Sequence, residues 1–185
     1  SSYNRTLDSW MMYFRQRYKA EAKGLAEIEG ENIRIKNKRK LPLTQVKISP
    51  DGKKIAYVLN EIGKYKVYIQ DLQTGERTVV IKNGFRNAFQ ATDYNYPLLA
   101  WNPNNVELGI ILEKRDVIKT VQYDLNTKKK INDFLDPQYD RIYSMDYINT
   151  GKLVLSAQVN GYSDIFTYTF STRQTGRITN DFWDD

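Results

Sequence analysis

The sequence predicts an all-β fold of about three four-stranded antiparallel leaflets, with one amphipathic helix in front of them. Two observations carry this prediction. From Leu41 onward, short runs alternate apolar and polar side chains, which is the period of a β-strand. Tight turns such as Ser49-Pro50-Asp51-Gly52 separate the runs, and the whole unit returns at intervals of about 50 residues. We therefore divide the chain into an N-terminal helix with a basic connector, residues 1–40, and a repeat domain, residues 41–185.

The first segment has the periodicity of a helix that we expect to end near Lys23. Its large apolar side chains recur at offsets of three and four residues: Leu7, Trp10, Met11, Phe14 and Tyr18. A helix this short with so large an apolar face needs a surface to pack on. The sequence leaves two surfaces open, the repeat domain or a domain that precedes this helix.

A basic run, Lys36-Asn37-Lys38-Arg39-Lys40, joins the helix to the repeats. Its charge suits phosphate binding, but neither a Gly-rich loop nor interleaved aromatic residues accompany it. Ile33 and Ile35 alternate with cations, as on a short edge strand. We interpret residues 33–40 as a solvated connector.

The repeat consists of three copies of one strand pattern, over about residues 41–82, 98–131 and 141–180. Equivalent turns stand at Asp51, Asn104 and Thr150, at spacings of 53 and 46 residues. Internal repeats of this length with four short strands each are typical of β-propeller blades. One blade is too thin to bury both of its faces, so the blades must stack on one another. The fold class is therefore a partial β-propeller of about three blades.

The first copy also resembles a known family of repeats. Residues 46–57 contain Ser49-Pro50-Asp51-Gly52-Lys53 before a strand, and Asp71-Leu72-Gln73-Thr74-Gly75-Glu76 follows the next strand. This arrangement is similar to the WD40-like (PD40) repeat of TolB-type propellers, which also occurs in propellers that precede dipeptidyl-peptidase and tricorn-type catalytic domains. Copy two has Asn104-Asn105 in place of Asp-Gly, and copy three keeps only two Thr-Gly pairs. The residues that carry the resemblance shape turns and do no chemistry: Ser49, Pro50, Asp51, Gly52, Asp71 and Gly75.

The resemblance implies a non-catalytic protein–protein interaction scaffold in the periplasm or cell envelope of a Gram-negative bacterium. Propeller rings close with about four to eight blades, and three copies are visible here. We therefore expect a fragment of a longer envelope protein, or a protein that associates with itself through open blade faces or edges. The alternative is a propeller segment that gates the catalytic domain of a peptidase lying outside this chain.

Composition narrows the possible chemistry. The chain has no histidine and no cysteine, which excludes imidazole bases, thiol nucleophiles, disulfides and thiolate metal sites within it. No apolar run approaches the length of a membrane span. The net charge of +6 favours acidic partners, but the cations are spread along the chain, so charge alone does not indicate nucleic-acid binding.

The carboxylates do not indicate an active site. Five of them fall in predicted connections, where solvated turn residues are the simpler interpretation: Glu113, Asp116, Asp133, Asp136 and Asp140. Three more, Asp181, Asp184 and Asp185, lack the D-x-D-x-D-G pattern of a calcium loop. We expect no catalytic residue, no metal and no cofactor.

The loop between copies one and two, residues 85–97, is the most unusual segment. It places several aromatic residues and one arginine in a long connection, which is typical of a binding surface on a propeller. The candidate partner-binding residues are Phe85, Arg86, Phe89, Tyr94 and Tyr96. The alternative is that these rings are buried between adjacent blades.

Overall fold

The structure, a computed structural model, describes residues 2–23, 30, 32–61, 64–84, 95–114, 117–135 and 139–180. It divides into two compact units, Ser1–Ile35 and Lys36–Asp185. The first unit holds the helix, and the second unit holds all the strands that the structure describes.

The helix α1 spans Ser2–Ala22, as the apolar periodicity predicts. Its aromatic side chains contact one another along one side: the ring centroids of Trp10 and Phe14 are 4.9 Å apart, and those of Phe14 and Tyr18 are 5.9 Å apart. Most of its large apolar side chains are exposed, including Tyr3, Trp10 and Met12. The described residues 32–42 contain no strand, so Ile33 and Ile35 do not lie on an edge strand.

Twelve strands in the described residues form three four-stranded antiparallel sheets. Blade one contains β1 Leu43–Ile48, β2 Lys54–Glu61, β3 Lys64–Asp71 and β4 Arg77–Gly84. Blade two contains β5 Leu98–Trp101, β6 Glu107–Lys114, β7 Val117–Asp124 and β8 Lys130–Phe134. Blade three contains β9 Arg141–Asn149, β10 Lys152–Val159, β11 Tyr162–Thr169 and β12 Gln174–Arg177.

Each sheet follows the chain from one edge to the other, because tight turns join consecutive strands. The first strands of successive blades are neighbours, since β1 contacts β5 and β5 contacts β9. The blades are therefore stacked side by side with their first strands together, as in a β-propeller. The predicted fold class is confirmed.

Blade two is buried on both faces because it lies between the other two blades. On β6, Leu108 and Ile110 face blade one, whereas Ile111 belongs to the core shared with blade three. Because successive side chains of a β-strand point to opposite faces, blade two contributes side chains to both cores. The core between blades one and two includes Ala56, Val58, Val67, Val80, Leu99, Trp101 and Val121. The core between blades two and three includes Leu98, Ala100, Ile142, Leu153, Leu155, Phe166 and Tyr168.

Candidate interaction surfaces

The Ser49-Pro50-Asp51-Gly52 turn uses its polar groups to hold its own backbone. The Ser49 hydroxyl donates to Asp51 Oδ1 at 2.6 Å, and the Lys54 amide donates to Ser49 Oγ at 2.9 Å. Gly52 adopts a φ of 70°, a backbone conformation that favours glycine. The Ser49 hydroxyl and the Lys53 amide both stabilise the charged carboxylate, so they lower the pKa of Asp51. The Asp51 carboxylate therefore stabilises the backbone of the turn.

The second turn of the repeat works in the same way. Asp71 Oδ1 accepts hydrogen bonds from the amides of Gln73 at 3.0 Å and Thr74 at 2.8 Å, and Gly75 follows with a φ of 72°. These hydrogen bonds, that of the Thr74 amide foremost, lower the pKa of Asp71. In blade two, Asp124 Oδ1 accepts from the Thr127 amide at 2.7 Å. Both aspartates thus shape the turn between the third and fourth strands of a blade.

Hydrogen bonds also connect neighbouring blades near their first strands. The Asp51 amide donates to Asn105 Oδ1 at 2.8 Å, and Trp101 Nε1 donates to the Lys47 carbonyl at 2.9 Å. Asn102 Nδ2 donates to the Thr150 carbonyl at 3.0 Å between blades two and three. Asn105 stands where copy one has glycine, and its side chain binds the turn of blade one. The signal for this role was the departure of copy two from the Asp-Gly pattern.

Of the five candidate partner-binding residues, Tyr96 lies within the described structure. Its side chain is 4% exposed, and its hydroxyl oxygen accepts a hydrogen bond from the Ile142 amide at 2.8 Å. The neighbouring Asn95 Nδ2 donates to the Ile142 carbonyl at 2.9 Å. Tyr96 therefore joins blades two and three at the end of the loop. Phe85, Arg86, Phe89 and Tyr94 lie outside the described residues, so partner binding by this loop stays a prediction.

The described carboxylates Asp133 and Asp140 have structural partners. Glu113 lies on β6 and Asp133 on β8, so the prediction that these carboxylates fall in connections is wrong for those two. Asp133 Oδ2 accepts from the Tyr168 hydroxyl at 2.9 Å and lies 3.1 Å from Arg173 Nε. Burial, together with Asp133, raises the pKa of Tyr168 to about 12. Asp140 Oδ2 accepts from the Gly161 amide at 3.3 Å. The predictions for Asp116, Asp136 and the three C-terminal aspartates fall outside the described residues, and within those residues no three acidic side chains converge as metal ligands.

Blade one exposes apolar side chains on the face opposite its core. Ala56 and Val58 point toward blade two, so Ile55, Tyr57 and Leu59 occupy the other face of β2. The cross-strand partners of these three residues on β1 share that face and are 44–54% exposed: Leu43, Val46 and Ile48. A row of exposed apolar side chains on one strand is typical of a protein contact surface. We call this row, Leu43, Val46 and Ile48, the apolar row.

Comparison with known proteins supports the assignment of the fold. Three stacked four-stranded leaflets, with their first strands together, place the chain in the class of β-propeller folds as a partial propeller. No family model matches the chain. A segment of 56 residues, 30% of this chain, is 41% identical to the Tol-Pal system protein TolB of Hahella chejuensis, and it spans 13% of that relative's length. The matched segment is therefore similar to TolB, in agreement with the resemblance that the turns carry.

Comparison with solved structures supports the same β-propeller fold. The crystal structure of TolB from Acinetobacter baumannii superposes on 75% of this chain with a TM-score of 0.60 and 22% identity, and this chain covers 32% of that one. Dipeptidyl peptidase 4 of Porphyromonas gingivalis superposes on 77% of this chain with a TM-score of 0.55 and 13% identity, and 26% of it is covered. At these identities the similarity establishes the fold alone. Among the described helical residues, none forms a segment long and apolar enough to cross a membrane.

Proposed function

We propose that this chain is a non-catalytic protein–protein interaction scaffold, part of a TolB-like propeller of the Gram-negative cell envelope. The apolar row on blade one is the observation that supports this proposal most directly. Its members Val46 and Ile48 remain 44% and 54% exposed although they lie opposite the buried Tyr57 and Ile55. Covering such a row with a partner surface removes apolar area from water, at about 25 cal/mol per Å².

The loop of residues 85–97 is proposed as a second contact region. It begins after β4, and near its end the hydrogen bonds of Asn95 and Tyr96 to Ile142 attach it to blade three. Anchored ends reduce the conformational entropy that a loop loses when it binds a partner. Phe85, Arg86, Phe89 and Tyr94 are the side chains proposed to reach the partner.

Site-specific photo-crosslinking tests the apolar row. A crosslinking amino acid at Ile48 is expected to give a discrete adduct with an envelope protein or with a second copy of the chain. The same group at Ile131, which is 64% exposed on β8 of blade two, serves as the matched control. Val46→Ser combined with Ile48→Ser should abolish the adduct formed from a probe at Leu43. Equal labelling at positions 48 and 131, together with hydrolase activity of the chain, contradicts the proposal.

The alternative is a propeller segment that gates a peptidase. Its support is the fold similarity to dipeptidyl peptidase 4 of Porphyromonas gingivalis, at a TM-score of 0.55. Because this chain has no histidine, such a peptidase would need a catalytic domain encoded elsewhere in the gene. A G-x-S-x-G or H-E-x-x-H sequence in the full open reading frame, with peptide hydrolysis by its product, would favour this alternative.

A further inference from the structure

We propose that a cationic groove on the outer face of blade one binds an acidic peptide segment of a protein partner. The proposal deepens the proposed function and rests on it in one respect, that the partner is a protein. The groove has a volume of about 570 Å³, and connector residues 36–39 with Leu41 form its walls together with β2, β3 and β4. Its described lining contains seven lysines and arginines, distributed over the connector and these strands.

Among the described lining residues, the one carboxylate is Glu61, and Arg39 already neutralises it. Arg39 Nη1 lies 2.8 Å from Glu61 Oε2, and Nη2 lies 2.5 Å from Oε1. This bidentate pair, with smaller contributions from the charges of Lys64 and Lys66, lowers the pKa of Glu61, so its carboxylate stays ionised and paired with Arg39. The other six cations of the lining therefore give the groove a strongly positive potential, which attracts acidic ligands.

Two of these cations face each other directly. Lys66 on β3 and Lys82 on β4 are cross-strand partners, and Lys66 is also the partner of Leu59 on β2. Both lysines therefore lie on the face of blade one that carries the apolar row. Like charges directly opposite on antiparallel strands destabilise a sheet. A carboxylate bound between Lys66 and Lys82 would remove this repulsion, so the pair is arranged for an anionic ligand.

Arg77 holds one wall of the groove in place. Its Nη1 donates to the Lys36 carbonyl at 2.8 Å, and its guanidinium lies 4.8 Å from the centre of the Tyr68 ring. Two reciprocal hydrogen bonds also fix the connector backbone. Asn37 Nδ2 donates to the Leu41 carbonyl at 2.7 Å, and the Leu41 amide donates to Asn37 Oδ1 at 2.9 Å. A preformed wall lowers the entropy that a ligand must offset on binding.

The groove fits a peptide better than a nucleic acid. Proteins bind single-stranded nucleic acids by stacking bases on accessible aromatic rings. The two rings of the lining, Tyr65 and Tyr68, are each 7% exposed and already packed, Tyr68 beneath Arg77 and against Tyr57. The cations are also spread over several chain segments, which suits carboxylates spaced along an extended peptide.

Titration of the full chain with a short peptide of alternating Asp and Glu tests the proposal. The reference ligands are the matching Asn/Gln peptide and an oligouridine of equal charge. The acidic peptide is expected to bind, with an affinity that falls as salt is raised. Lys66→Gln combined with Lys82→Gln should weaken binding about tenfold, a loss of about 1.4 kcal/mol. Lys129→Gln combined with Lys152→Gln, on the other two blades, should leave affinity unchanged.

Folding does not confound this comparison, because the Lys66/Lys82 double variant removes a repulsion and should melt no lower than the parent chain. Equal affinity of both double variants for the acidic peptide overturns the proposal, and so does tighter binding of oligouridine. If the groove binds the acidic peptide through Lys66 and Lys82 while position 48 forms no protein adduct, the apolar row is refuted as a contact surface and the groove is supported. An adduct at position 48 without acidic-peptide binding would refute the groove alone.

Discussion

A Cβ atom on Gly109 would lie 2.8 Å from the hydroxyl oxygen of Tyr147, closer than real Cβ atoms approach such an atom. Gly109 belongs to β6 of blade two and Tyr147 to β9 of blade three. The Tyr147 hydroxyl donates to Glu107 Oε1 at 2.9 Å, an oxygen that Asn102 Nδ2 also reaches at 3.0 Å. Burial and the charge of Glu107 raise the pKa of Tyr147. Because Gly109 has no side chain, the Tyr147 ring fits beside it and joins blades two and three.

Gly109→Ala is therefore expected to destabilise the protein by about 1–3 kcal/mol, because the added methyl group displaces the Tyr147 ring. The free energy of unfolding in urea measures this effect. Gly151→Ala is the matched control, since its Cβ would meet its nearest described neighbour at 3.8 Å, an ordinary contact. An equal loss in both variants would show that the close approach of Gly109 to Tyr147 is not the cause.

The Asn105 side chain should contribute to stability through its bond to the Asp51 amide. Asn105→Gly keeps the positive φ of 62° available but removes the hydrogen bond, so we expect a loss of about 0.5–1.5 kcal/mol. Asn105→Ala should lose about 1 kcal/mol more, because alanine disfavours this backbone conformation. Denaturant unfolding of the two variants separates the two contributions. A glycine variant as stable as the parent would contradict the role of the side chain.

Lys128 occupies the place of Gly75 in blade two, with a φ of 56°. Lys128→Gly should raise the free energy of unfolding by about 0.5 kcal/mol. The strain energy released at the left-handed backbone conformation exceeds the cost of the larger conformational entropy that glycine gives the unfolded chain. Lys129→Gly, at the next position, should give no gain. Thermal unfolding of both variants checks the prediction, and a lower melting temperature for Lys128→Gly would refute it.

The free energy of unfolding should fall at alkaline pH, because buried tyrosines ionise at a higher pH in the folded protein than in the unfolded chain. Burial raises the pKa of Tyr65 from 10.0 to about 12, while Asn83 donates to its hydroxyl at 3.3 Å. A raised folded-state pKa stabilises the protein fully below pH 10, and this contribution is lost as pH rises through 12. Tyrosinate absorbance and circular dichroism should change together in this interval. Tyr65→Phe should reduce the pH dependence of unfolding there, and an unchanged dependence would contradict the assignment.

Local chemistry explains which parts of the fold were predictable. The Ser49-Pro50-Asp51-Gly52 turn forms from hydrogen bonds among neighbours in the chain, so its residue types predict it. The period-two runs likewise predict the strands, and their return predicts the blades. The candidate surfaces were harder to predict from the sequence. The contact of Tyr96 with Ile142 joins residues far apart in the chain, and no local pattern indicates it.

The residue pattern alone determined that this chain forms stacked antiparallel blades with TolB-like turns, and that it has no histidine or cysteine chemistry, because periodicity and composition are local properties. The tertiary structure decided which face of each blade is covered. It set Lys66 opposite Lys82 and left Val46 and Ile48 exposed, while Tyr147 took the space beside Gly109. Strand register and blade stacking fix these relationships, and both depend on contacts between residues that are distant in the chain.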